Sequence, residues 1–84
     1  MKTLDCATPS ELASRLELGR YRHFKGNEYE VIGIARDSES MGEFVVYRAL
    51  YGERGLWIRS LEMFTEIVER EGRRVPRFQY IGAG

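Results

Sequence analysis

The chain has 84 residues, carries 13 basic and 13 acidic side chains, and is 43% apolar. That is one small domain with a modest core, and its zero net charge argues against a strongly basic, non-specific nucleic-acid binder. A single cysteine and a single histidine exclude an intramolecular disulfide and a Cys/His zinc site within one chain.

The N-terminus, MKTLDCATPSEL, lacks the apolar core of a signal peptide, and no stretch reaches the length of a membrane span. A cytoplasmic protein is expected, with no membrane partner. The charge is unevenly spread. Residues 1–25 hold five basic and three acidic groups, residues 26–69 four and nine, and residues 70–84 four and one. The ends are therefore positive and the middle negative.

Residues 1–18 read as a tail and a short helix. Thr8 is the expected N-cap, Pro9 the first helical position and Glu11 the partner in a capping box. Leu12, Ala13 and Leu16 form the apolar stripe, and Gly19 is the expected stop. Residues 19–81 read as one β domain. Gly19 to Phe24 is the first strand, Lys25-Gly26-Asn27 a turn, and Glu28 to Arg36 the second strand, with Gly33 marking a bulge or bend. Asp37 to Gly42 is a polar loop. Phe44 to Tyr51 is a third strand, apolar on both faces and hence central or covered twice. Gly52 to Gly55 is a hairpin loop and Leu56 to Arg59 the fourth strand. Ser60 to Phe64 reads as one helical turn capped by Ser60. Thr65 to Glu69 returns to extended structure, Glu71 to Arg74 turns, and Val75 to Ile81 is a last edge segment, because Pro76 cannot donate to a ladder. Residues 82–84 are expected to fray as a disordered tail. The fold class is mainly β: a small curled antiparallel SH3-like barrel with a short N-terminal helix, or, as the alternative, an α+β open antiparallel sheet.

The blocks Gly19-Arg20-Tyr21-Arg22-His23-Phe24-Lys25-Gly26-Asn27, Tyr29 to Ala35, Val45 to Gly52, Trp57-Ile58-Arg59 to Met63-Phe64, and Pro76-Arg77-Phe78 occur in order with compatible spacing. In these blocks the chain resembles a bacterial domain family of unknown function, over about residues 19–81. Ser60 stands where that family commonly has Pro, and Asp37 where it commonly has His. The resemblance implies a compact domain and carries no substrate.

Candidate binding residues are Arg22, His23, Tyr47, Arg48, Trp57 and Arg59. His23 could act as a base or phosphate contact, but no nucleophile can be placed beside it, and a hydrogen-bonded strand histidine is the plainer reading. Arg20, Arg22 and Lys25 interleave with Tyr21 and Phe24 as in nucleic-acid faces. Strand alternation nevertheless puts Arg20, Arg22 and Phe24 on one face and Tyr21, His23 and Lys25 on the other. Asp37, Glu39 and Glu43 do not match calcium-loop spacing, so a solvated loop is expected. Tyr47 and Trp57 either line a groove for an extended peptide or fill the core, and burial in a core or interface is the expectation for Trp57. Arg48 and Arg59, in apolar strands, are expected outward or paired with Glu30 or Glu62. No cofactor or metal is implied. The function reading is a non-enzymatic binding module offering an aromatic and arginine-bearing face to a peptide or nucleic acid. The alternatives are a unit acting by self-association, such as a homodimer, and last a small enzyme using His23 with a carboxylate.

Overall fold

The computed structural model describes residues 10–83. The elements are α1 (Glu11–Arg15), β1 (Gly19–His23), β2 (Glu28–Arg36), β3 (Glu43–Ala49), β4 (Leu56–Ser60), α2 (Leu61–Phe64), β5 (Ile67–Arg70), β6 (Arg73–Pro76) and β7 (Phe78–Gly82). The protein is mainly β and antiparallel, with a short N-terminal helix. Its main sheet has five strands in the order β4-β3-β2-β1-β7, and β5 and β6 form a separate two-stranded ribbon. This is the strand order of the open-sheet alternative, because β4 and β7 end the sheet and are not paired with each other.

The inner face of the sheet is aromatic. Register places Tyr21 opposite both Tyr29 and Tyr80, and Tyr47 opposite both Val31 and Trp57, so these side chains share one face. Tyr21, Val31, Val45, Tyr47, Leu61, Phe64, Phe78 and Ala13 form the core. Phe64, at the end of α2, stacks on Phe78 with centroids 4.1 Å apart and 5° between the planes. Arg20, Arg22, Glu28, Glu30 and Arg48 occupy the outer face, where Glu28 meets Arg22 at 3.1 Å and Arg20 at 3.7 Å. The register shift between Val31 and Gly33 is the bulge expected at that glycine. It keeps Val31 and Ile34 on the inner face and leaves Ile32 outside.

Helix α1 begins two residues later than the sequence suggests. Ser10 is the N-cap, its Oγ accepting from Ala13 N at 3.1 Å, and Thr8 and Pro9 lie outside the described residues. The helix ends at Arg15, well before Gly19. Gly19 instead opens β1 at φ +133, where a Cβ would stand 2.5 Å from Gly82 O. A close backbone crossing, and not a helix stop, requires glycine there. The helix is anchored by Ala13 and by Glu43, whose Oε2 accepts from Ser10 N at 2.8 Å. The Ser10 N–H, then the Ser10 hydroxyl, and more weakly Arg36, hold the Glu43 carboxyl below its usual range.

The C-terminal segment is divided where the sequence reads as continuous. β6 pairs with β5, and β7 pairs with β1. Arg77 is the crossing point. Its N–H donates to Glu66 O at 2.9 Å and its C=O accepts from Phe24 N at 3.0 Å, so one residue ties the ribbon to the first hairpin. Pro76 needs no ladder donor at the end of β6, which is where a strand tolerates it. β7 continues to Gly82, opposite Arg20.

Candidate functional site

The six candidate residues fall into two groups by face. Arg22 and Arg48 are on the outer face; His23, Tyr47, Trp57 and Arg59 are on the inner one. Arg22 is engaged by Glu28, and Arg48 Nη1 donates to Arg54 O at 3.0 Å. The ion pairs considered for Arg48 with Glu30 and for Arg59 with Glu62 do not form among the described residues. Arg48 spends its donor on the neighbouring hairpin loop, and Arg59 points into the aromatic face.

His23, Tyr47 and Arg59, but not Trp57, converge on Phe78, which is not among the six candidates. Tyr47 packs against it at 5.5 Å between centroids, His23 edge-on at 4.9 Å, and the Arg59 guanidinium carbon lies 5.6 Å from its centre. Arg59 belongs to β4 and Phe78 to β7, so the sheet curls until its two end strands face each other across the core. Arg59 Nε also donates to Tyr47 Oη at 3.4 Å. No carboxylate lies within ion-pair distance of Arg59 among the described residues.

The row continues beyond Phe78. Phe24 stacks on His23 at 4.5 Å. The chain turns after His23, so Phe24 leaves the strand alternation that would have put it with Arg20 and Arg22. Arg70 lies over the Phe24 ring at 5.3 Å and donates to Phe24 O at 3.1 Å, while the Lys25 ammonium is 5.9 Å from the same ring. The result is a continuous line, Arg59, Phe78, His23, Phe24, Arg70, with cations at both ends and three rings between. Arg77 stands beside it, held by Met63 O at 3.1 Å and Glu66 at 2.8 Å.

His23 registers this field. Burial, and then the charges of Arg59, Arg77, Lys25 and Arg70, hold its pKa below the ordinary value. Its Nδ1 accepts from Lys25 N at 3.1 Å, so the neutral ring carries its proton on Nε2 and offers that group as a donor. A cleft of about 240 Å³ beside the ring is lined by Arg22, His23, Phe24, Val75, Pro76 and Gln79. At the β4 side of the same inner face Trp57 is 55% exposed and Tyr51 42%. Trp57 is thus not enclosed by the core, because it sits at the sheet edge with only β3 beside it. Tyr51 Oη lies 2.9 Å from Tyr29 Oη, and burial followed by that hydrogen bond pushes the Tyr29 pKa up to about 12.

The acidic loop does other work. Asp37 Oδ1 accepts from Glu39 N at 2.8 Å, and bonds of this kind from Glu39 and Ser40 hold its carboxyl below the usual range. Among the described residues no group of three or more His, Cys, Asp or Glu side chains could hold a metal ion. Also among them, no helix is long and apolar enough to cross a membrane. Cys6 lies outside the described residues.

A crystal structure of a protein from Bordetella bronchiseptica, described as belonging to DUF1653, is similar to this chain. It is 35% identical, with a TM-score of 0.79, over 86% of this chain and 95% of that one. No curated protein matches the chain significantly. The family pattern described as "Protein of unknown function (DUF1653)" matches residues 19–80, which hold the whole Arg59-Phe78-His23-Phe24-Arg70 row and leave out α1. The chain belongs to the DUF1653 family.

Proposed function

We propose that this domain is a binding module that takes a single-stranded nucleic acid at the rim of its curled inner face, where Arg59 ends the cation–aromatic row and Trp57 and Tyr51 stand exposed. The observation that carries this reading is Arg59. Its guanidinium lies across the Phe78 ring and meets no carboxylate among the described residues, so it is desolvated in part and left with unspent charge. A phosphate is the natural complement of such a group, because the planar fork donates two parallel bonds. The surroundings of His23 support it: burial first, and then the charges of Arg59, Arg77, Lys25 and Arg70, hold its pKa down, and those four cations favour an anion nearby. Exposed Trp57 and Tyr51 supply ring faces on the same side of the sheet, and bases stack on such faces with little regard to sequence. With zero net charge on the chain, long-range steering is weak, so affinity depends on these few groups.

The enzymatic reading has less support. The His23 ring is clamped between Phe24 and Phe78, its Nδ1 is taken by the backbone, and no hydroxyl or carboxylate meets it among the described residues.

The test is fluorescence anisotropy with a labelled oligo-uridine, titrated at several salt concentrations. Binding should weaken as salt rises, with a shallow slope set by a few phosphates. Arg59→Ala, with its fold checked by circular dichroism, should lose about tenfold or more, since a charge-assisted pair contributes roughly 1.5–3 kcal/mol. Absence of binding at low salt, equal binding by the folded Arg59→Ala variant, or tighter binding of a glutamate-rich peptide of equal charge overturns the reading.

A further inference from the structure

The free edge of the main sheet calls for a partner that the inner-face row does not supply. β4 ends the sheet, and Leu56, Trp57 and Ile58 on it are 57%, 55% and 63% exposed. Natural edges are usually blunted with charge, proline or a bulge. β4 has no proline, its register with β3 is unbroken, and its one charge, Arg59, points inward.

We infer that β4 is a dimerisation edge, and that its partner is the β4 of a second copy of this chain, added antiparallel about a two-fold axis at Ile58. Three features select this occupant. The first is the direction of the backbone groups. Ala49 N donates to Gly55 O at 3.0 Å, which makes that pair hydrogen-bonded. Alternation then turns the N–H and C=O of Trp57 and Arg59 toward β3 and those of Leu56, Ile58 and Ser60 outward. An antiparallel copy centred on Ile58 meets these groups in phase. The two Ile58 residues exchange both bonds, and Ser60 N–H reaches Leu56 C=O of the partner on either side.

The second feature is side-chain complementarity. This register overlaps the whole of β4 and places Trp57 of each copy opposite Arg59 of the other, in the closely spaced pairs where side chains touch. A register centred on Arg59 would oppose two guanidinium groups and is disfavoured. One centred on Trp57 leaves Ser60 unpaired. The inward charge therefore selects the register while leaving the edge usable.

The third feature is continuity. On the outer face Ile32, beside the bulge, Val46 and Ile58 form an apolar stripe that runs up to the edge, since Val46 is opposite both Gly33 and Ile58. Ile32 is 46% exposed. A second copy extends that stripe across the axis. The contact is a five-residue strand, smaller than a standard interface of about 1,600 Å². The dimer is accordingly weak and concentration-dependent.

Sedimentation velocity of the full chain over a wide concentration range tests this without any nucleic acid present. The expected result is a monomer passing to a dimer as concentration rises, unaffected by salt, with Trp57 emission moving to shorter wavelength in step. Ile58→Lys should remain monomeric at all concentrations while keeping its far-ultraviolet spectrum, because the side chain is solvent-exposed in the monomer. In a Cys6→Ser background, Ile58→Cys should cross-link to a disulfide dimer in glutathione disulfide, since hydrogen-bonded antiparallel pairs bring Cα atoms to about 5.5 Å, within disulfide reach. A chain that stays monomeric throughout, or a dimer that survives Ile58→Lys, overturns the proposal. Faster cross-linking by Trp57→Cys than by Ile58→Cys overturns the register.

Discussion

Removing the Phe78 ring should cost more than any other single truncation in the site, and the structure sets the size of the loss. Phe78 is 6% exposed. Its ring meets Phe64 at 4.1 Å, His23 at 4.9 Å, Tyr47 at 5.5 Å and Tyr29 at 5.6 Å, so no neighbour can relax into the space without breaking a second ring contact. Phe→Ala in a core costs about 3–5 kcal/mol, and the interlocked rings argue for the upper half of that range. A chain of this length has a total stability on the order of 4–13 kcal/mol. Phe78→Ala therefore removes a large fraction of it, and in the lower part of that range leaves the protein unfolded. Urea unfolding followed by circular dichroism is the assay. With a slope of about 1 kcal/mol per molar for a small domain, the midpoint should fall by roughly 3 M or more. Trp57→Ala, measured at low concentration, is the control, and its exposed ring should cost less than about 1 kcal/mol. If Phe78→Ala moves the midpoint no further than Trp57→Ala does, Phe78 is not the hub through which β4 and β7 face each other, and the site built on it is wrong.

Two further outcomes follow from the same geometry. His23 has a folded pKa below its unfolded value near 6.5, so the unfolded chain binds the proton first as pH falls; stability present above that value should decline on acidification, and His23→Gln should flatten the dependence. An NMR titration of the imidazole checks the direction, and oligo-uridine should raise the pKa by neutralising the surrounding cations; a titration at or above the ordinary value would contradict the clustering of charge. Gly19→Ala should destabilise by about 1–3 kcal/mol or more, because its φ is +133 and its Cβ would stand 2.5 Å from Gly82 O, whereas Gly33→Ala, with nothing within 4 Å, should be tolerated; equal stability of the two variants would show that β1 and β7 do not cross so closely.

Local chemistry made much of the fold legible. The turn at Lys25-Gly26-Asn27, the bulge at Gly33 and the Ser60 cap each follow from one or two residues with a defined backbone preference. Strand alternation likewise separated Arg20 and Arg22 from Tyr21 and His23. Long-range facts were not legible. Nothing in Val75 to Ile81 says that the chain changes partner at Arg77, since that depends on where Glu66 and Phe24 lie in space. Trp57, between Leu56 and Ile58, reads as buried in a core or an interface, yet enclosure within the chain depends on whether a strand has neighbours on both sides, and β4 has one. Arg59 looked like half of an ion pair because an unpaired inward charge is costly. The ring of Phe78 offsets part of that cost, and only the curl of the sheet brings it there. The available signal is the Pro76-Arg77-Phe78 block, which carries the family resemblance and holds the ring on which the site is built.

The two proposed surfaces depend on one property, that the sheet curls without closing. A closed barrel would pair β4 with another strand, which would remove the edge and bury Trp57. A flat sheet would separate β4 from β7 and leave Arg59 in water, where its charge would be fully hydrated and of little use for recognition. The observed curvature lies between these limits. Phe64 and Phe78, stacked face to face, fill the inside of the curve, and Arg59 closes over the outer end of that stack from the opposite strand. The register shift at Gly33, between the two longest strands of the sheet, supplies extra twist where the curve is needed. Straightening β2 by deleting the bulge would therefore weaken the cation–aromatic row and change the course of β4 together, although neither surface includes Gly33.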